Sequence, residues 1–149
     1  MSEIWPKSYE KLVSYAEDKH TNSIYISEEN HCEHRAINDS RDYVNHIKID
    51  GKVILKACRD TKRIDFLLLN ETKKIAYFIE LKGSHIKDAF EQLEVTDRHL
   101  KPILEEYAVQ WRIIHHHSRT TRLRMNEVNQ YRRKHPYLII RNTPMEEHI

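Results

Sequence analysis

Asp65, Glu80 and Lys82 are the side chains whose types and spacing can do chemistry together. Asp65 lies on the apolar stretch Arg63 to Asn70, and Glu80 and Lys82 lie on the apolar stretch from Ile75. The polar residues Glu71-Thr72-Lys73-Lys74 between them are few enough to form a hairpin loop. If Asn70 pairs with Ile75, the antiparallel register sets Asp65 opposite Glu80. Directly opposite residues share a face, with Cβ atoms about 4.5–5.5 Å apart. Lys82, two residues beyond Glu80, points to that face as well. Like charges facing each other on interior strands repel, and burying them uncompensated costs several kcal/mol. A hard divalent cation relieves this, and paired carboxylates suit Mg²⁺, with Mn²⁺ able to substitute. Such an ion polarises a phosphate oxygen and acidifies water, and a neighbouring lysine can orient that water or offset charge developing on the phosphorane. Glu-x-Lys by itself is a common pattern of exposed strands. An Asp fifteen residues upstream, in matching hairpin register on a second apolar strand, makes it specific.

The elements that must hold these groups can be read from periodicity. Ile64, Phe66 and Leu68 on one parity and Leu67 and Leu69 on the other indicate a strand covered on both sides. Ile79 and Leu81 against Ala76 and Phe78 say the same of its partner, so both strands are expected to be central in a sheet. After Gly83, the residues Ile86, Ala89, Phe90, Leu93, Leu100, Ile103 and Leu104 recur at amphipathic-helix spacing, interrupted by Pro102. Trp5 to Lys19 predicts a first helix with Pro6 in its first turn. Ser23 to Ser27 reads as a short strand, Ser27 to Arg41 is ambiguous, and Tyr43 to Leu55 reads as one strand or two meeting at Asp50-Gly51. Tyr107 to His115 predicts a further strand, Thr120 to Lys134 a basic helix, and Tyr137 to Arg141 a last strand. The expected fold is α/β: a single domain over residues 1–149, with a central mixed β-sheet flanked by helices. Its core spans about 45–116, after an N-terminal helical segment 5–41 and before a basic C-terminal helix and strand extension, 117–149.

Composition supports one globular domain. The 149 residues are 39% hydrophobic and 32% charged, with two glycines and four prolines, which leaves little room for linkers or low-complexity tracts. No basic leader with an apolar stretch opens the sequence, and no apolar run approaches the roughly 20 residues that cross a bilayer. Cys32 and Cys58 make neither a disulfide framework nor a zinc site. These features lead us to expect a cytoplasmic protein with reduced thiols and no membrane partner. The net charge of +2 hides an asymmetry: from Gln110 to Arg141, eight Arg or Lys stand against one acid, Glu127. Arg112, Arg119, Arg122, Arg124, Arg132, Arg133 and Lys134 are therefore the expected nucleic-acid-binding residues. His115-His116-His117 and His31-Cys32-Glu33-His34 offer ligand atoms without zinc-site spacing, and Tyr107, Trp111, Tyr131 and Tyr137 are aromatic rings among basic residues that can stack on bases or pack in the core.

Arg63-Ile64-Asp65, followed by Phe78-Ile79-Glu80-Leu81-Lys82-Gly83 and a helix, resembles the core of the PD-(D/E)xK nuclease superfamily, to which many restriction enzymes and Holliday-junction resolvases belong. The resemblance covers about half the chain, and Ile64 stands where the family name has proline. It implies an αβββαβ restriction-endonuclease-like core in which Asp65 and Glu80 bind the metal with the Leu81 carbonyl, and Lys82 assists catalysis. It also implies a catalytic Gln on the following helix, a position that Gln92 fits. A further acidic ligand near the first helix is expected among Glu10, Glu17, Glu29 and Glu33, with Glu33 the leading choice. The expected activity is Mg²⁺-dependent hydrolysis of phosphodiester bonds, in DNA by analogy with the superfamily. For so small a domain, a homodimer or a targeting partner protein would supply contact area. The rival readings are a nuclease-like fold that binds nucleic acid without cutting it, and a protein-interaction module with a basic tail.

Overall fold

The computed structural model describes residues 4–82, 86–116 and 125–149, with side chains in the last stretch from Val128 onward. The predicted hairpin is its centre. Strands β4 (Phe66–Asn70) and β5 (Ile75–Lys82) pair antiparallel, Asn70 with Ile75 and Phe66 with Ile79. Lys74, at φ 57°, and the bond from the Lys73 N–H to Asn70 Oδ1 close the turn.

Strand β3 (Val44–Lys48) joins β4 on the outer side, also antiparallel. On the other side β6 (Ala108–His115) runs parallel to β5, and β7 (Leu138–Asn142) parallel to β6. Parallel neighbours require a crossover, which α2 (Ile86–Leu100) provides between β5 and β6. The result is a five-stranded mixed sheet, ordered β3-β4-β5-β6-β7. One of its faces carries Leu67, Leu69, Ala76, Phe78, Trp111 and Ile113, against which α2 buries Ala89, Phe90, Leu93 and Leu100. The helix α3 (Met125–Lys134) joins this layer through Tyr131, whose ring stacks on Phe90 at 3.6 Å. Trp111 and Tyr107 are buried in the same core, which leaves neither ring free to stack on a base.

The opposite face departs from the expected helical flanking. Phe66, Leu68, Tyr77, Ile79, Leu81 and Ile114 pack against Tyr25, Cys32, Ala36 and Met145 of a second sheet. That sheet contains β1 (Ile24–Glu29), β2 (Cys32–Ile37) and β8 (Met145–His148), in that order. The expected N-terminal helical segment 5–41 is thus corrected to one short helix, α1 (Tyr9–Val13), followed by a hairpin. Ser8 caps α1 by accepting the Lys11 N–H, and Ala16 already bridges to Ile47 of the large sheet, so the chain leaves helical geometry early. The short strand expected at Ser23 to Ser27 corresponds to β1, whereas β2 lies in the stretch that was ambiguous, because polar residues occupy the hairpin's inward face. Ser27 Oγ meets His46 Nε2 at 2.8 Å, and His34 Nε2 meets Glu147 Oε2 at 2.6 Å, while His34 Nδ1 is buried without a partner among the described residues.

The expected second strand after Asp50-Gly51 does not form. Gly51, at φ +99°, turns the chain in a backbone conformation that side-chain-bearing residues rarely adopt, so a substitution here would be strained. The molecule is a single α/β domain with two sheets. No helix among the described residues is long and apolar enough to cross a membrane.

Candidate metal centre

The β4–β5 register carries one step beyond β4 to bring Asp65 opposite Glu80. Asp65 shares its strand parity with Leu67 and Leu69, and Glu80 with Phe78, so both carboxylates point to the α2 side of the sheet. They are 5% and 3% exposed and lie within hydrogen-bond reach of each other. Asp65 Oδ2 accepts the Leu81 N–H at 2.7 Å, while Glu80 Oε1 is buried with no hydrogen-bond partner. Lys82 is half-buried on the same face, and the parallel register sets His115 beside it. His117 lies outside the described residues.

Two further carboxylates complete the constellation. Oxygens of Glu29, Asp50 and Asp65 lie within 4.8 Å of one another. Asp50 follows β3, where its N–H and that of Ile49 both donate to the Asp65 carbonyl, at 3.3 and 2.9 Å. Glu29 ends β1, brought inward by the hairpin turn at Asn30 and His31, both with positive φ. The hairpin also places Asn30 Nδ2 3.0 Å from the Leu81 carbonyl, so that expected ligand already accepts one bond and retains a second lone pair. Cations surround the outer side: Lys48 is 3.3 Å from Glu29, Lys56 2.6 Å from Asp50, and Arg63 2.9 Å from Asp50.

Electrostatics follow from this crowding. Burial, reinforced by the charges of Asp50 and Glu29, raises Asp65 to about 6 despite the Leu81 N–H. Burial and the neighbouring Asp65 raise Glu80 well above the usual carboxylate range, with Lys82 working against the rise. Asp50 sits below its ordinary value because bonds from Lys56 and Arg63 outweigh its burial. Cys32, whose thiol contacts the Lys82 carbonyl at 3.6 Å, is pushed by burial and by Asp65 up to about 11, away from the reactive thiolate form. The carboxylate oxygens that cluster within 4.8 Å belong to Glu29, Asp50 and Asp65, a set that does not include Glu80, and all-oxygen donors of this kind suit a hard divalent cation such as Mg²⁺ or Mn²⁺.

Other expected residues fall differently. Gln92 borders the same cleft, of about 380 Å³, with Asp65, Glu80 and Lys82. Its Oε1 accepts the Arg63 N–H at 2.7 Å, so it positions the segment that carries Asp65. Glu33 is corrected: it pairs with Arg35 and lines a separate groove with Thr143 and Pro144. Glu10 is exposed on α1, and Glu17 binds His46 Nδ1 at 2.9 Å. Arg112 is also corrected: it is 5% exposed, binds both oxygens of Glu147 at 2.9 and 3.0 Å, and serves the core. Arg119, Arg122 and Arg124 lie outside the described residues. Arg132, Arg133 and Lys134 are exposed on α3, and none of them lines the acidic cleft.

The role of Asp50 was missing from the sequence reading. The register of β3 on β4 pairs Lys48 with Phe66, and one further step places Ile49 against Asp65 and Asp50 beside it, a deduction the pattern allowed. Comparison with protein families, with characterised proteins and with solved structures finds no match.

Proposed function

We propose that this chain is a metal-dependent nuclease that hydrolyses phosphodiester bonds with Mg²⁺ or Mn²⁺ held by Asp65 and Glu80, in the manner of the PD-(D/E)xK superfamily that it resembles. One observation carries the reading: two neighbouring carboxylates are buried, Glu80 on the central strand β5 and Asp65 immediately before β4, and Glu80 Oε1 has no donor among the described residues. Buried carboxylate oxygens are ordinarily hydrogen-bonded, and an uncompensated pair costs several kcal/mol. A site for a divalent cation accounts for this cost. With the β1–β2 hairpin of the second sheet inserted between α1 and β3, the remaining order α1, β3, β4, β5, α2 and β6 is compatible with the αβββαβ core of that superfamily.

Asp65 and Glu80 would hold the cation, and Glu29, Asp50 and the Leu81 carbonyl would be further oxygen donors to it. A divalent cation there supplies positive charge to the phosphate and acidifies water. Lys82 Nζ, on the same face, orients the attacking water and hydrogen-bonds the phosphate oxygen on which charge builds. Gln92 keeps the Asp65 segment in register by holding the Arg63 N–H. Burial excludes bulk solvent from Asp65 and Glu80 and strengthens these interactions. DNA is the substrate class that the resemblance favours.

The test is a cleavage panel of supercoiled, linear, single-stranded and branched DNA, with RNA, in Mg²⁺, Mn²⁺ or chelator. Cutting is expected with metal only. Asp65→Asn and Lys82→Ala are each expected to lower it by about 10²–10³, as for loss of one transition-state stabiliser. Cutting that persists in chelator or survives both substitutions would overturn the assignment, as would the absence of cutting on every substrate.

A further inference from the structure

We propose that the substrate strand is gripped outside the acidic cleft by a groove along the 55–62 loop and α2, with Arg59 and Arg98 as its phosphate ligands; this rests on the nuclease reading of the cleft. Arg59, Thr61 and Lys62 line the acidic cleft and also a larger cavity, of about 820 Å³, whose far side includes Trp5, Arg98 and His99. Because the two hollows share these three lining residues, we treat them as adjoining parts of one channel, with Asp65 and Glu80 at its cleft end. Along α2 the channel runs from Gln92 to His99, about 10 Å at about 1.5 Å per residue. That length spans about three nucleotides of one strand at about 3.4 Å each.

The charge of this channel fits a polyanion. Arg59, Lys62 and Arg98 line the larger cavity against one acid, Asp60. Lys62 is engaged by Glu91 at 3.0 Å. Arg59 and Arg98 are exposed and make no ion pair among the described residues, so their guanidinium groups are available to phosphate. The wall that bears Arg59 is held in shape from beneath. The Arg63 guanidinium donates to the carbonyls of Leu55, Cys58 and Thr61, and also to Asp50. A loop fixed in this way spends less conformational entropy on binding. Among the described residues, the basic triad of α3 lines neither hollow.

Binding is read by fluorescence anisotropy of short end-labelled single-stranded DNA, duplex DNA and single-stranded RNA, in chelator so that nothing is cut. Combining Arg59→Glu with Arg98→Glu is expected to weaken binding by about tenfold or more and to reduce the salt slope by about 1.4–1.8, two phosphate contacts. Arg132→Glu with Arg133→Glu and Lys134→Glu is expected to stay within about threefold of the unmodified chain. Cys58 lines the channel and Cys32 is buried, so alkylation of Cys58 in the unmodified protein gives a second readout. Saturating oligonucleotide is expected to slow it several-fold. The proposal is overturned if none of the three nucleic acids binds, if the channel substitutions leave affinity and salt slope unchanged, or if Cys58 reacts at an unaltered rate. Channel-dependent binding without metal-dependent cutting would remove the nuclease reading and keep the channel. Cutting that is indifferent to Arg59 and Arg98 would do the reverse.

Discussion

The raised pKa values of the buried Asp65 and Glu80 carboxyls give the metal-free protein a distinctive response to pH. Burial raises Asp65 to about 6 and Glu80 well above its usual range, whereas the unfolded chain releases these protons at ordinary carboxylate values. The folded form therefore binds more protons across that interval. The resulting stability is complete below the unfolded values and is lost as pH rises through the folded ones. In chelator, the melting temperature is expected to fall from pH 5 to pH 8, the opposite of the usual acid-side loss. Millimolar Mg²⁺ is expected to restore it at the alkaline end, because an ion that binds only the folded form stabilises it. Asp65→Asn is expected to flatten the profile and abolish the response to Mg²⁺. A melting temperature indifferent to both pH and Mg²⁺ would leave the carboxylate pair without this role.

Among the elements, α2 sets the geometry of the site through hydrogen bonds rather than through apolar packing alone. Arg63 and Ile64 precede β4, and their amides are taken by helix side chains: Gln92 Oε1 accepts the Arg63 N–H at 2.7 Å and Thr96 Oγ1 the Ile64 N–H at 3.0 Å. Thr96→Val keeps the shape but strands a buried amide, and is expected to cost about 1–3 kcal/mol in denaturant unfolding. An unchanged midpoint would show that water or a shifted backbone satisfies that amide. The same element scale shows what the sequence made legible. The hairpin β4–β5, its register, α2 and β6 were readable because Leu67, Leu69, Phe78 and Leu93 carry unbroken apolar periodicity. Strand β2 was not, because the inward positions of the β1–β2 hairpin hold Ser27 and His34, whose partners His46 and Glu147 are distant in sequence. Glu33 was favoured over Glu29 for the same reason. Without the Asn30-His31 turn, nothing in the pattern tells which acid faces the large sheet.

For the whole molecule, the tie between the sheets is ionic as well as apolar. Arg112 of β6 and His34 of β2 converge on Glu147 of β8. Burial raises Glu147, but the bonds from His34 and Arg112 outweigh it and hold the carboxyl below its ordinary range. That contribution is present above the unfolded value of about 4.3 and is lost as pH falls through the folded one. Arg112→Ala leaves the partly buried Glu147 carboxylate with His34 as its remaining partner and is expected to cost about 3 kcal/mol. It is expected to leave the salt dependence of nucleic-acid binding unaltered, whereas a changed slope would return Arg112 to the interface. The position of Glu29 has a consequence at the same scale. It enters from the small sheet, whereas Asp50, Asp65 and Glu80 are carried by the large sheet and its adjoining turns. An ion shared between Glu29 and Asp65 would act as a rivet through both layers, so the loaded protein would resist shear between them and the chelated one would have only its side-chain seam to hold it.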